Sequence, residues 1–128
     1  MSELHYFCPN CWEEIPKDTK ICPFCGANLE DLEEKNTYLE KLILALRSKD
    51  GFTARRAAYI LGEIGNSQAI DALATTIEEQ DPYVAAEAVM ALAKIGGIRA
   101  LDIVERAKSH PYITVRKAAF EAEKILKR

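Results

Sequence analysis

No apolar run in this 128-residue chain approaches the roughly 20 residues that a membrane-spanning helix needs. The most apolar stretch, Leu42 to Leu46, is bounded by Lys41 and Arg47. The opening Met1-Ser2-Glu3-Leu4-His5 holds neither a basic patch nor an apolar core, so no signal peptide is expected and the cytoplasm is the expected compartment. Histidine is scarce: His5 and His110 fall in different segments, and neither has a cysteine or carboxylate constellation at motif spacing. His110, just before Pro111, reads as a surface capping residue in preference to a ligand. The chain is too short for a large barrel or a two-domain dinucleotide enzyme, and suits one ordinary domain or a small one plus a modest one.

Positive charge is scarce at one end only. Residues 1–36 hold three Lys/Arg against eight Asp/Glu, residues 37–98 six against eight, and residues 99–128 eight against four, so the overall −3 conceals a gradient from acidic to basic. That gradient bears on partners and says nothing about fold.

Cysteine is the residue whose spacing carries chemistry. All four lie in two pairs, Cys8-Pro9-Asn10-Cys11 and Cys22-Pro23-Phe24-Cys25. Two such pairs facing each other across a short hairpin can set four thiolates about 2.3 Å from a Zn²⁺ ion. Each turn can aim backbone N–H groups at the sulfurs, and Gly26 supplies the positive φ such a turn often requires. Trp12 stands where the first pair would place that glycine. Two other uses of the motif compete: a redox C-x-x-C needs a βαβ context that this short, turn-rich stretch does not supply, and paired disulfides suit a secreted mini-domain. Zinc is preferred, and four protein sulfurs leave no open coordination position, so its role is structural.

The segment from Tyr6 to Leu29 resembles the zinc-ribbon or zinc-knuckle family in its short CPxC and CPxCG form. That resemblance implies a metal module, and in many members nucleic-acid or protein binding. Within residues 1–28, Lys17 and Lys20 face Glu3, Glu13, Glu14 and Asp18, which lacks the basic footprint phosphate contacts require. Residues 1–29 are therefore read as a zinc ribbon, residues 30–36 as a short acidic linker, and residues 37–128 as a second unit capped near Asn36 or Thr37.

That second unit repeats at an offset of 31 residues. Asp50 meets Asp81; Leu61, Ile64 and Gly65 meet Leu92, Ile95 and Gly96; Leu42 and Leu46 meet Leu73 and Ile77; Ala69 and Leu73 meet Ala100 and Val104; and a third copy begins at Val115, matching Val84. Small and aliphatic residues at three- and four-residue spacing predict helix pairs, with Gly65 a helix end, Ser67 an N-cap, and Asp81-Pro82 a cap followed by proline at the first helical position. Six helices are predicted, at about 36–48, 52–64, 67–79, 82–95, 98–109 and 112–127. No pair buries its own apolar stripe, so the pairs must stack into an all-α solenoid. His110 would hold the helix-start position that Asp81 holds one repeat earlier, and Glu123 stands where an apolar Leu is expected.

The pattern resembles HEAT-like repeats of the phycobilisome-lyase type, best at Ala57, Leu61, Gly62, Ile64 and Gly65, then Val84, Ala88, Ala91, Leu92, Ile95 and Gly96. The resemblance implies a fold whose second helices line a concave, interacting surface. It also includes an iron-dependent hydroxylase with paired His-Glu ligands; this sequence has no His-Glu dipeptide, and an enzymatic role is not expected. The register aligns Glu40, Asp71 and Asp102, either as acids favoured near helix starts or as an acidic stripe on the binding face; the first reading is preferred. Adjacent columns hold Lys41, and Leu44, Thr75 and Arg106.

The expectation is a protein-binding adaptor or scaffold with one structural zinc held by Cys8, Cys11, Cys22 and Cys25, and a partner surface at Glu40, Lys41, Leu44, Asp71, Thr75, Asp102 and Arg106. The ribbon is expected to cover the first helix through Tyr6, Phe7, Trp12, Ile15 or Phe24. Nucleic acid is disfavoured as a partner, a membrane is excluded, and the charge gradient raises head-to-tail self-association. Two alternatives remain: an accessory subunit of a tetrapyrrole-lyase-like enzyme, and a nucleic-acid-associated zinc-ribbon protein.

Overall fold

The computed structural model describes residues 6–16, 18–29 and 38–127, so the linker expected at 30–36 and the cap expected at Asn36 or Thr37 lie outside the described residues. A two-stranded antiparallel hairpin opens the chain, β1 (Tyr6–Phe7) against β2 (Glu14–Ile15), in the register Tyr6 to Ile15 and Phe7 to Glu14. The chain then repeats the same turn fourteen residues on. The Cys8 N–H donates to Glu13 O and the Trp12 N–H to Cys8 O, just as the Cys22 N–H donates to Ala27 O and the Gly26 N–H to Cys22 O. Gly26 takes φ 79° at the end of its turn, and Trp12 takes φ 60° at the equivalent point, although a bulky side chain is strained there.

Six α-helices follow among the described residues: α1 (Tyr38–Ala45), α2 (Gly51–Ile64), α3 (Ile70–Glu79), α4 (Pro82–Ile95), α5 (Ile98–Ala107) and α6 (Ile113–Leu126). Asp50 caps α2 by accepting from the Phe52 N–H, and Asp81 caps α4 by accepting from Tyr83 and Val84, with Pro82 in the first turn. Gly65 closes α2 in the left-handed region (φ 75°, ψ 21°), where a Cβ would be penalised. Two expected starts are corrected. Asn66, not Ser67, caps a 3₁₀ turn at Ser67–Ala69 before α3 begins at Ile70, because its carboxamide oxygen reaches the Gln68 N–H at 2.8 Å. α6 begins at Ile113 rather than 112, with His110 two residues ahead of its N-cap, accepting from the Tyr112 N–H through Nδ1 at 3.2 Å.

The helices form two layers, α2, α4 and α6 side by side in one and α1, α3 and α5 in the other, with α4 central and touching α2, α3, α5 and α6. Alanines at equivalent repeat positions, Ala57, Ala88 and Ala119, are fully buried and let the first layer close tightly. Leu42, Leu61, Leu73, Leu92 and Val104 fill the space between layers. No helix among the described residues is long and apolar enough to cross a membrane.

Position 123 departs from the repeat. Leu61 and Leu92 are fully buried, whereas Glu123 in the same register accepts from Lys108 at 2.8 Å and Lys127 at 3.0 Å, with Glu105 joining both lysines. The Lys108 hydrogen bond, first among several, holds the Glu123 carboxyl down to about 2. A folded-state value below the ordinary one means that the network stabilises at neutral pH and is lost as pH falls from about 4.3 toward that value. Glu123→Gln should therefore lower the thermal midpoint at pH 7, and its difference from the wild type should shrink as melts are taken down through pH 4; a constant difference would contradict the assignment.

Candidate metal centre and repeat surface

The two matching turns bring the four cysteines together. Their ligand atoms all lie within 4.8 Å of one another, with Sγ–Sγ distances of 3.7 Å for Cys8 to Cys25 and for Cys11 to Cys22. A tetrahedron with 2.3 Å zinc–sulfur bonds has edges of about 3.8 Å, whereas a disulfide bond is about 2.05 Å. The thiols are free, and the spacing is that of a tetrathiolate zinc site. Around the sulfurs, the Asn10 N–H points at Cys8 and the Phe24 N–H at Cys22, each at 3.4 Å, while the Asn10 side-chain amide donates to Cys25 at 3.4 Å. Burial pushes the Cys11 thiol up to about 12 and raises Cys8, while the Asn10 amide, followed by the Ala27 N–H, brings Cys25 down to about 6. The cluster thus resists carrying four negative charges unaided, and one structural zinc supplies the compensating charge.

The ribbon has its own small core of Cys8, Ile15, Cys22 and Leu29, but Phe7 and Trp12 belong to the helical core instead. Tyr38 at the start of α1 is the receiver: its hydroxyl accepts from the Phe7 N–H at 3.1 Å, its ring stacks on Tyr6 at 5.3 Å, and Trp12 meets it edge-on at 5.7 Å. This explains the tryptophan at a glycine position, since the left-handed turn aims its ring into the helices. Of the other two residues expected to bridge, Ile15 stays in the ribbon core and Phe24 is exposed.

The seven residues read as a partner surface are distributed unevenly. Glu40, Leu44, Asp71, Thr75, Asp102 and Arg106 are exposed, whereas the Lys41 ammonium is buried with no hydrogen-bond partner among the described residues and offers no accessible contact. Asp71 pairs with Arg99, and Asp102 with Arg106 at 3.1 Å, so these two aligned acids are already matched by cations. The basic C-terminal end is partly occupied: Lys108 and Lys127 bind Glu105 and Glu123, and Arg116 donates to the His110 and Pro111 carbonyls, while Lys117 is exposed with no ion pair among the described residues.

Sequence columns did not reveal the relief of this face. A cleft of about 300 Å³ lies between α1 and α3, with Ile43, Leu46, Ala72 and Thr76 toward its floor and Arg47, Lys49, Thr75 and Glu79 at its rim. A smaller one of about 160 Å³ lies between α3 and α5, lined by Ala74, Ile77, Ile103 and Ala107, with Glu78, Arg106 and His110 at its edge. Only Thr75 and Arg106 among the expected surface residues line either cleft.

Two family models match the chain, one described as HEAT repeats over residues 39–123 and one described as a zinc-ribbon domain over residues 7–29. The narrower phycobilisome-lyase resemblance is not confirmed by them. No curated protein matches. Among solved structures, the chain is similar to human deoxyhypusine hydroxylase in complex with glycerol, with TM-score 0.67 and 21% identity over 70% of this chain. The match covers 32% of that protein's chain, so this chain spans about a third of its length. The likeness is one of fold. It nonetheless corrects the expectation, drawn from the absence of a His-Glu dipeptide, that the chain is not an enzyme: stacked helix pairs of this kind are a scaffold on which an enzyme is also built.

Proposed function

We propose that this chain, which belongs to the HEAT-repeat family across residues 39–123, acts as a protein-binding adaptor whose zinc ribbon braces its first helix pair and whose α1, α3 and α5 face carries the interaction. The observation that carries this reading is the pair of clefts on that face, apolar at the floor and charged at the rim, beside the exposed Leu44. Such relief suits side chains of a protein partner. Internal pairing of Lys108 and Lys127 and the backbone contacts of Arg116 reduce the positive charge open to phosphates at the basic end, which favours protein over nucleic acid. Four thiols arranged for zinc suit a reducing compartment such as the cytoplasm.

The test is affinity capture from cells with the wild type, with Leu44→Asp plus Thr75→Glu, and with Phe52→Ser on the opposite layer as control. A protein partner lost with the first variant and kept with the second is expected, both variants retaining wild-type helicity. Nucleic acid as the captured species, or a partner lost only with Phe52→Ser, would overturn the reading.

A further inference from the structure

The stripe by which one repeat joins the next stays open, among the described residues, at its third copy. Gly51 and Gly62 of α2 both face α4: a Cβ on the first would meet the Asp81 carboxylate at 3.4 Å, and one on the second the Ala91 Cα at 2.8 Å. With Arg55 and Ala58 between them, they form one side of the helix at four- and three-residue spacing. One repeat on, the stripe reads Pro82, Ala86, Val89 and Ala93 on α4, which packs along α6. On α6 it reads Ile113, Lys117, Phe120 and Lys124. Ala58 and Val89 are fully buried, whereas Phe120 in the same position is 51% exposed and Ile113 is 58% exposed. Lys108 lies over the Phe120 ring at 5.4 Å and still leaves half of the side chain open.

We infer that this open stripe receives an amphipathic α-helix of another protein, laid parallel to α6, with small residues against Ile113 and Phe120 and a carboxylate against Lys117. The surface lies apart from the α1, α3 and α5 face, and the inference goes beyond the reading given for that face. The two closed copies of the stripe select the occupant. A helix covers each: α4 lies along α2, and α6 along α4. The first pair runs parallel, because Gly51 meets the cap of α4 and Gly62 meets its second half. What α4 sets against the stripe is Ala91, and α6 carries Ala122 in the same register, each at most 1% exposed. Small residues there let two backbones approach closely, and an aromatic stripe position leaves still less room for a bulky partner.

Charge selects another protein over a second copy. In the first copy of the stripe, Arg55 shares a cleft of about 220 Å³ with Glu87 of α4, four residues before Ala91. Lys117 stands in the Arg55 position, exposed and without an ion pair among the described residues, and Lys124 reaches Glu121 of its own helix at 3.6 Å. A carboxylate in the Glu87 position is what Lys117 lacks. A second copy would have to offer its α2, where Arg56 holds the Glu87 position and would set like charge against Lys117. Its Ile60, in the Ala91 position, is already buried, and Phe7 and Trp12 of the ribbon belong to the same helical core.

The experiment uses the zinc-loaded full chain and, as the helix, a fluorescein-labelled peptide of residues 81–97, which keeps the Asp81 cap, Ala91 and Glu87. Fluorescence anisotropy should show it binding about fivefold more tightly than the same peptide with Glu87→Lys, because one attraction becomes one repulsion. Against a protein carrying Lys117→Glu, the order of the two peptides should reverse. Phe120→Ser, at an exposed position that leaves the melting curve in place, should weaken binding of the unchanged peptide about tenfold. No binding, equal binding of the two peptides to the wild type, or binding untouched by Phe120→Ser would overturn the inference. Light scattering that shows a dimer lost with Phe120→Ser would overturn it in favour of a second copy. Co-sedimentation with phosphatidylserine vesicles lost with the same variant would overturn it in favour of a lipid surface.

Discussion

Chelating the zinc should unfold residues 6–29 and loosen α1 and α2 with them. The ribbon's own core consists of Cys8, Ile15, Cys22 and Leu29, two of which are ligands, so little apolar burial remains once the metal is gone. Structural zinc in finger-type peptides contributes an apparent ~10–16 kcal/mol at pH 7, far beyond what two aliphatic side chains replace. The consequence reaches the helices because Phe7 and Trp12 leave the helical core when the ribbon opens, taking with them the contacts to Tyr38. Trp12 is the only tryptophan and is 4% exposed, so its emission should shift to the red on chelation. Hydrogen-exchange protection should fall in residues 38–64 and persist in α4 and α6. Cys22→Ser, at a buried ligand, should reproduce the effect, and Cys25→Ser, at an exposed one, should be milder. Because the ligands are thiolates, protons compete with the metal, and zinc retention should weaken as pH falls. Unchanged Trp12 emission after zinc loss verified by metal analysis would sink the argument.

A loss of comparable reach is expected where α2 crosses α4. Leu92 is fully buried on the central helix, and Leu92→Ala should cost about 2–5 kcal/mol through lost transfer energy and a cavity that the surrounding helices cannot close. Gly62, on the facing helix, fails in the opposite direction. A Cβ there would sit 2.8 Å from the Ala91 Cα and 3.0 Å from its Cβ, and backbone cannot step aside as a flexible side chain can. Gly62→Ala gains about 1 kcal/mol of helix propensity but incurs about 1–3 kcal/mol of overpacking, so no net gain is expected and a loss is the usual outcome. Urea unfolding measures both. A clear stabilisation by Gly62→Ala would mean that α2 and α4 have room to separate.

The same contact explains why the repeats were legible. A helix pair that must approach a neighbour this closely needs small residues at fixed intervals, and the recurrence of Ala57, Ala88 and Ala119 at 31 residues is the trace of that need. Asp50 and Asp81 were legible for a more local reason, since a cap bonds to N–H groups two or three residues away. Ser67 and His110 carry helix-start signals that the structure does not use, for the same kind of cause: Asn66 competes successfully one residue earlier, and Pro111 lies before Tyr112, the N-cap, rather than in the first helical turn. The aligned acids Glu40, Asp71 and Asp102 read first as acids favoured near helix starts and second as a stripe, and the sequence does not separate the two because whether an acid is available depends on a cation that arrives from elsewhere, as Arg99 does for Asp71.

What could be read from the chain was therefore whatever is local or periodic: the paired C-x-x-C turns, the helix caps, the 31-residue period and the layered all-α class that follows from it. These depend on bonding within a few residues, or on a spacing that every copy must obey. The docking of Trp12 on Tyr38, the Lys108–Glu123–Lys127 network in place of a leucine, and the two clefts arose only in the folded molecule. Each joins side chains from separate elements, and the free energy of such a contact depends on distance and burial that no single segment specifies.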